Sequence, residues 1–237
     1  MAVDHAAKLQ SLIKRLGTTD DADAPTCPRF LCKPDESMTD PVCDELIWAY
    51  LVWEAGEKRA CALASKLCET FVDLNEFRVC LTSELTSFFG QTYPRAAERS
   101  DRMRATLNDI YNREHEVNLK SLTTLNKREA KAYLDSLEGI PQYVVNRTFL
   151  LGLGGHAFPL DDRLLKFLTA ENAIAEDETI DTGASWLERQ IRSGDAAPAF
   201  IAIEKWAANK RASTSRSTTK KKSKKVTKKS SSKSKSG

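Results

Sequence analysis

No continuous apolar run in this 237-residue chain is long enough to cross a bilayer, and no segment alternates apolar and polar residues as a half-buried strand does. No glycine-rich loop follows a strand pattern, which removes the nucleotide-binding α/β folds. The N-terminal MAVDHAAKLQSLIKRLG interleaves charges with single apolar residues and lacks the apolar core of a signal peptide. It is expected to be a short amphipathic helix of an intracellular protein. No cysteine follows Cys80, and the six present (27, 32, 43, 61, 68 and 80) include no CxxC or matching histidine pair. Cys27 and Cys32, in CPRFLC, are the one pair that could open a metal site. Without completing ligands no metal is expected, and the helical cysteines are expected to be reduced and buried.

Acid is missing from the end of the chain. Lys210 to Gly237 carries 12 of the 36 basic residues and none of the 33 acidic ones, so the rest holds 24 against 33, a formal charge of −9. The segment KRASTSRSTTKKKSKKVTKKSSSKSKSG has one valine and no aromatic, too little apolar surface to fold alone. Its lysines, notably Lys220, Lys221, Lys222, Lys224, Lys225, Lys228 and Lys229, suit it to bind polyanions through counterion release without reading sequence. A solubilising tail or a nuclear localisation signal is the plainer alternative.

What remains is helix after helix. In DPVCDELIWAYLVWEAG, Asp40 is placed to cap and Pro41 to occupy the first turn, with Leu46, Ile47, Tyr50, Leu51 and Trp53 expected to be buried. EKRACALASKLCETFV carries Cys61, Ala64, Leu67, Cys68 and Phe71 at helical spacing, and a pair of short helices is expected over 73–89. Residues 94–113 read as a long helix with a basic side at Arg95, Arg99 and Arg102. LNKREAKAYLDSLEG reads as a helix stopping at Gly139, and SWLERQI and AAPAFIAIEKWAANK supply the last two. The fold class is all-α, without internal repeats.

Residues 137–168, LEGIPQYVVNRTFLLGLGGHAFPLDDRLLKFL, carry the functional signal. A Leu-x-Gly-Ile turn opens an apolar helix, a glycine-rich loop follows, and Asp161 and Asp162 begin another helix. This stretch resembles the helix-hairpin-helix, endonuclease III-like superfamily of base-excision DNA glycosylases. Tyr143 stands where lyase members carry lysine and Asp161 where the family carries its aspartate, with the spacing between them preserved. DPVCDELIWAYLVWEA and YPRAAERSDRMRATL resemble the early buried helix and the helix preceding the hairpin. The resemblance covers roughly residues 38–208.

The resemblance implies two helical lobes with a DNA-binding cleft between them. It divides the chain into an N-terminal helix and linker over 1–38 packing with the C-terminal lobe, and a helical domain over 39–159 with the helix-hairpin-helix at 125–152. The C-terminal lobe follows over 160–209 and the disordered basic tail over 210–237. It further implies that Asp161 is the catalytic carboxylate, that Tyr143 lines the base pocket, and that Gly139, Ile140 and Gln142 of the hairpin contact DNA. A carboxylate beside C1′ stabilises the cation that develops as an N-glycosidic bond breaks. The base must first leave the stack, which requires a cleft and a grip on the backbone. The other reading of Asp161 and Asp162 is an ordinary helix N-cap.

Three departures accompany the match. Tyr143 has no amine, so Schiff-base lyase chemistry is not expected. Pro141 stands where the hairpin usually has its second glycine and removes one N–H. LVWEAGEKRA lacks the glutamine with which relatives help fill the vacated stack; Glu54 stands nearby, facing DNA or buried in the helix together with Trp53. The four C-terminal cysteines of an iron–sulfur cluster are missing, so no cofactor is expected. Two function classes follow: a monofunctional DNA N-glycosylase acting on double-stranded DNA, or a non-catalytic nucleoid- or chromatin-associated binder on a degenerate glycosylase fold. Both are expected to be DNA-associated monomers of the cytoplasm or nucleoid, or of the nucleus in a eukaryote, away from membranes. An unrelated helical scaffold with a chance likeness is the third possibility.

Overall fold

The computed structural model describes residues 3–17 and 40–208; Cys27, Cys32 and the tail lysines lie outside the described residues. Among the described residues there are helices and no strand. In chain order they are α1 (His5–Leu16), α2 (Pro41–Val52), α3 (Glu57–Thr70), α4 (Leu74–Val79), α5 (Thr82–Phe89), α6 (Ala96–Glu114), α7 (Lys127–Asp135), α8 (Gln142–Arg147), α9 (Asp162–Ala170) and α10 (Ile180–Gln190). A last helix, α11, spans 193–208. A 3-10 turn at Lys120–Thr123 precedes α7, and a π-turn at Thr148–Gly152 continues α8.

α2 is the axis of the first lobe because it is apolar all round: Val42, Cys43, Leu46, Ile47, Tyr50, Leu51 and Val52 are all buried. Asp40 caps it, accepting from the amides of Val42 and Cys43 with one oxygen, while the other accepts from Leu119. α3, α8 and the π-turn pack around α2, and α4 and α5 pack on α6. The second lobe gathers α9, α10 and α11. The N-terminal helix joins it: Gln10 Nε2 donates to the Gln190 carbonyl at 3.1 Å, and Arg15 pairs with Glu171 at 2.7 Å.

Two expectations change here. The buried stripe of α3 is Ala60, Leu63, Ala64 and Leu67. That places Cys61 and Cys68 one position off the stripe, so among the described cysteines only Cys43 is fully buried, and Cys61 is disulfide-bonded. α7 ends at Asp135 rather than at Gly139, because residues 136–141 are spent on the hairpin. The glycine-rich loop has a packing reason: a Cβ on Gly155 would lie 2.2 Å from the Phe149 ring, which folds back over it.

Candidate active site and hairpin

The helix-hairpin-helix is α7, the 136–141 turn and α8. One face of α6 is given over to holding the turn. Arg102 Nη1 donates to the Gly139 carbonyl at 3.1 Å and Thr106 Oγ1 to the Glu138 carbonyl at 2.8 Å. Asp109 Oδ2 accepts from the Glu138 amide at 2.9 Å, and Arg113 Nη2 donates to the Ser136 carbonyl at 2.9 Å. These four side chains recur at helical spacing, so they stand in a row. Gly139 has φ +73°, and a Cβ there would meet Ala105 and the Arg102 backbone at 3.2–3.3 Å. Glycine is therefore required both by conformation and by the close approach of α6. Ile140 is half-buried and Gln142 exposed.

Asp161 lies where the lobes meet, as the N-cap of α9. Its Oδ1 accepts from the Leu164 amide at 2.8 Å and its Oδ2 from the Glu54 amide at 3.0 Å. Glu54, in a left-handed turn (φ 58°) just after α2, returns the contact: its Oε1 accepts from the Asp162 amide at 3.0 Å. Arg95, also left-handed (φ 53°), faces the same junction and pairs with Asp162 at 3.0 Å and with Glu98 at 2.9 Å. Two strained non-glycine residues thus oppose each other across one junction, where the surrounding contacts over-determine the backbone. Glu54 is thus tied into the α2–α9 junction, not held out as a free acid toward solvent, and Trp53 is buried.

Behind Asp161 runs a buried ionic network that joins the lobes. Tyr143 donates its hydroxyl to Glu204 at 3.0 Å, Arg147 bridges Glu204 at 2.5 Å and Glu45 at 2.7 Å, and Arg163 reaches Glu204 at 3.4 Å and Asp161 at 3.6 Å. Asp161 and Tyr143 are therefore brought into one cluster, linked through Glu204 and Arg163. Both are sealed, with exposures of 1% and 3%. A polar cleft of about 380 Å³ opens instead beside the hairpin, lined by Lys131, Gln142, Asn146, Leu160, Asp181 and Ser185 among others.

Burial raises the pKa of Asp161 above the ordinary carboxylate range, against the pull of Arg163 and the two amides. Glu54 is raised by burial and by Asp161 itself. Glu204 goes the other way: burial opposes its charge, but Arg147 and Arg163 overcome it and hold the pKa low. Burial, then Glu204, keeps the Tyr143 phenol protonated. A carboxyl whose folded pKa is raised binds its proton more tightly in the native state, so its stabilising effect is fully present at low pH. That effect is lost as pH rises through the raised value. Relative to Asp161→Asn, wild-type stability is accordingly expected to fall as pH rises above the ordinary aspartate value of about 4. Urea unfolding of both proteins across this range checks it; a pH-independent difference contradicts it.

Arg147, Arg163 and Glu204 were not among the residues the sequence singled out. Their signals exist: Arg147 stands four residues after Tyr143 on the same helical face, and Glu204 is a lone acid in the apolar run FIAIEKW. Of the basic side expected on α6, Arg99 is fully buried and Arg95 and Arg102 share Glu98, so that side is a partly neutralised edge and not a row of three outward cations.

Neither the models of known protein families nor the curated proteins contain a match to this chain. Solved structures do match in fold. A non-covalent endonuclease III–DNA complex aligns with a TM-score of 0.59 at 10% identity, covering 86% of this chain and 85% of the other. A thermostable thymine-DNA glycosylase aligns at 0.54 with 11% identity, covering 86% of each chain. The Clostridium acetobutylicum 8-oxoguanine glycosylase/lyase, in complex with double-stranded DNA, aligns at 0.56 with 14% identity, covering 88% and 71%. The two-lobed helical architecture is the one these base-excision glycosylases share.

Proposed function

We propose that this chain binds double-stranded DNA in base-excision repair, as a monofunctional N-glycosylase with Asp161 as its carboxylate. One observation carries the reading: Asp161 and Tyr143 converge in one cluster at the lobe junction, on a glycosylase fold. An ionised carboxylate there would stabilise the positive charge that builds on the sugar and orient water toward C1′. Burial raises the Asp161 pKa, and Arg163 with the Leu164 and Glu54 amides pulls against it, so the ionised form this reading needs is the one present above the raised value. Tyr143 has no amine and its hydroxyl is committed to Glu204, so no covalent sugar–enzyme bond forms at this position.

A second reading, a non-catalytic DNA binder, is favoured by the sealing of Asp161, whose two oxygens already cap α9 and the end of α2. Incubation with duplexes each carrying one damaged or mismatched base, followed by alkaline cleavage, separates the two. Excision of a base supports the enzyme. Binding without excision across the whole panel supports the second reading.

A further inference from the structure

Pro141 takes one amide from the hairpin, and the structure shows what stands beside the vacancy in donors. Arg102 lies directly beneath the turn, with its backbone 3.3–3.4 Å from where a Gly139 Cβ would be. Its guanidinium is fixed at two points, by Glu98 Oε1 on Nε at 2.9 Å and by the Gly139 carbonyl on Nη1 at 3.1 Å. Arg102 has five N–H donors, and these contacts use two. Its side chain is 41% exposed at the edge of the hairpin, and the contacts to Glu98 and Gly139 engage only Nε and Nη1. An arginine held rigidly in this way loses little freedom on gripping a planar or tetrahedral oxyanion.

We propose that Arg102 is a DNA-backbone contact, donating to a phosphodiester of duplex DNA beside the hairpin, where Pro141 leaves the turn one N–H short. The inference rests on the DNA-binding reading above and adds a residue to it. Glu98 limits the contact, because it also pairs with Arg95 and places a negative charge at the same edge. The Glu98 charge repels a phosphate approaching the unused Arg102 donors, so Glu98 acts as a brake on binding by electrostatics. A purely structural Arg102, needed only to hold the hairpin, gives no such role to Glu98.

The test measures duplex binding by the full-length protein over a range of salt concentrations. Arg102→Ala is expected to weaken binding roughly tenfold and to reduce the slope of log K against log salt by about 0.9. Arg102→Gln, which keeps an amide donor for the Gly139 carbonyl, is expected to show the same slope change with unaltered thermal stability. Glu98→Gln is expected to strengthen binding severalfold. The proposal is overturned if both Arg102 variants bind with wild-type affinity and slope, or if Glu98→Gln weakens binding. A wild-type protein that fails to bind duplex at low salt removes the DNA-binding reading itself and this contact with it, an outcome distinct from a wild type that binds and an Arg102 variant that matches it.

Discussion

Removing residues 210–237 is expected to lower duplex affinity by roughly a hundredfold or more at moderate salt, and to flatten its salt dependence. The removed segment carries 12 positive charges and no acid, while the body left behind has a formal charge of −9. Each phosphate neutralised contributes about 0.9 to the slope of log K against log salt, so even half of these lysines engaged at once dominate it. Several of the body's arginines are committed to protein partners: Arg99 to carbonyls, Arg147 and Arg163 to Glu204, and Arg95 to Glu98 and Asp162. Its net field repels DNA. Titration of a labelled duplex with full-length and truncated protein at several salt concentrations measures both quantities. An unchanged slope in the truncated protein moves binding to the body and removes the tail from the account.

The largest effect on stability is expected at Arg99. This side chain is fully buried, and it donates Nε to the Tyr50 carbonyl at 2.7 Å and its two terminal nitrogens to the carbonyls of Pro94 and Trp53. Two of these carbonyls belong to the end of α2, whose last acceptors have no helical partner. Burial lowers the arginine pKa to about 10, which still leaves it charged at neutral pH. The Tyr93, Trp53 and Phe89 rings stand at 4.7, 5.5 and 5.9 Å from the guanidinium carbon and supply further favourable contact. Arg99→Ala leaves three buried acceptors unpaired and a cavity, and is expected to cost about 4 kcal/mol or more. Arg99→Lys keeps the charge but not the fork, so it is expected to lose about 2 kcal/mol. Thermal unfolding of both variants checks the order; a loss below about 1 kcal/mol for Arg99→Ala contradicts it.

Much of the fold was legible because the local signals agree with one another. Asp40 and Pro41 mark the start of α2, its unbroken apolar content marks its burial, and Asp161 caps the helix that follows it. Tyr143 and Asp161 were singled out through the family resemblance, and the structure places both in one buried cluster. What surrounds them was not legible, because a network such as Arg147–Glu204–Arg163 joins residues up to 57 positions apart that carry no periodicity. Arg99 shows the same limit. Helical spacing put it beside Arg95 and Arg102 as one basic side, but it is buried against the end of α2, whose carbonyls take its donors. Cys61 and Cys68 failed for a smaller reason, since an offset of one residue on α3 carries a side chain from core to rim.

The central claim is that Asp161 performs chemistry and does not merely cap α9. Asparagine is a good cap in general, but here one amide oxygen has to serve where two carboxylate oxygens accept from Leu164 and Glu54. Asp161→Asn is therefore expected to lose about 1–3 kcal/mol of stability while remaining folded at low temperature. The decisive measurement is the single-turnover excision rate of wild type and Asp161→Asn on any duplex the wild type cleaves, taken where both are folded and bind DNA. The account expects the variant to be slower by roughly a hundredfold or more, as the loss of a carboxylate opposite a developing cation requires. Equal rates in the two proteins, or no excision by the wild type on any lesion, would contradict it and leave Asp161 as a structural residue at the junction of the lobes.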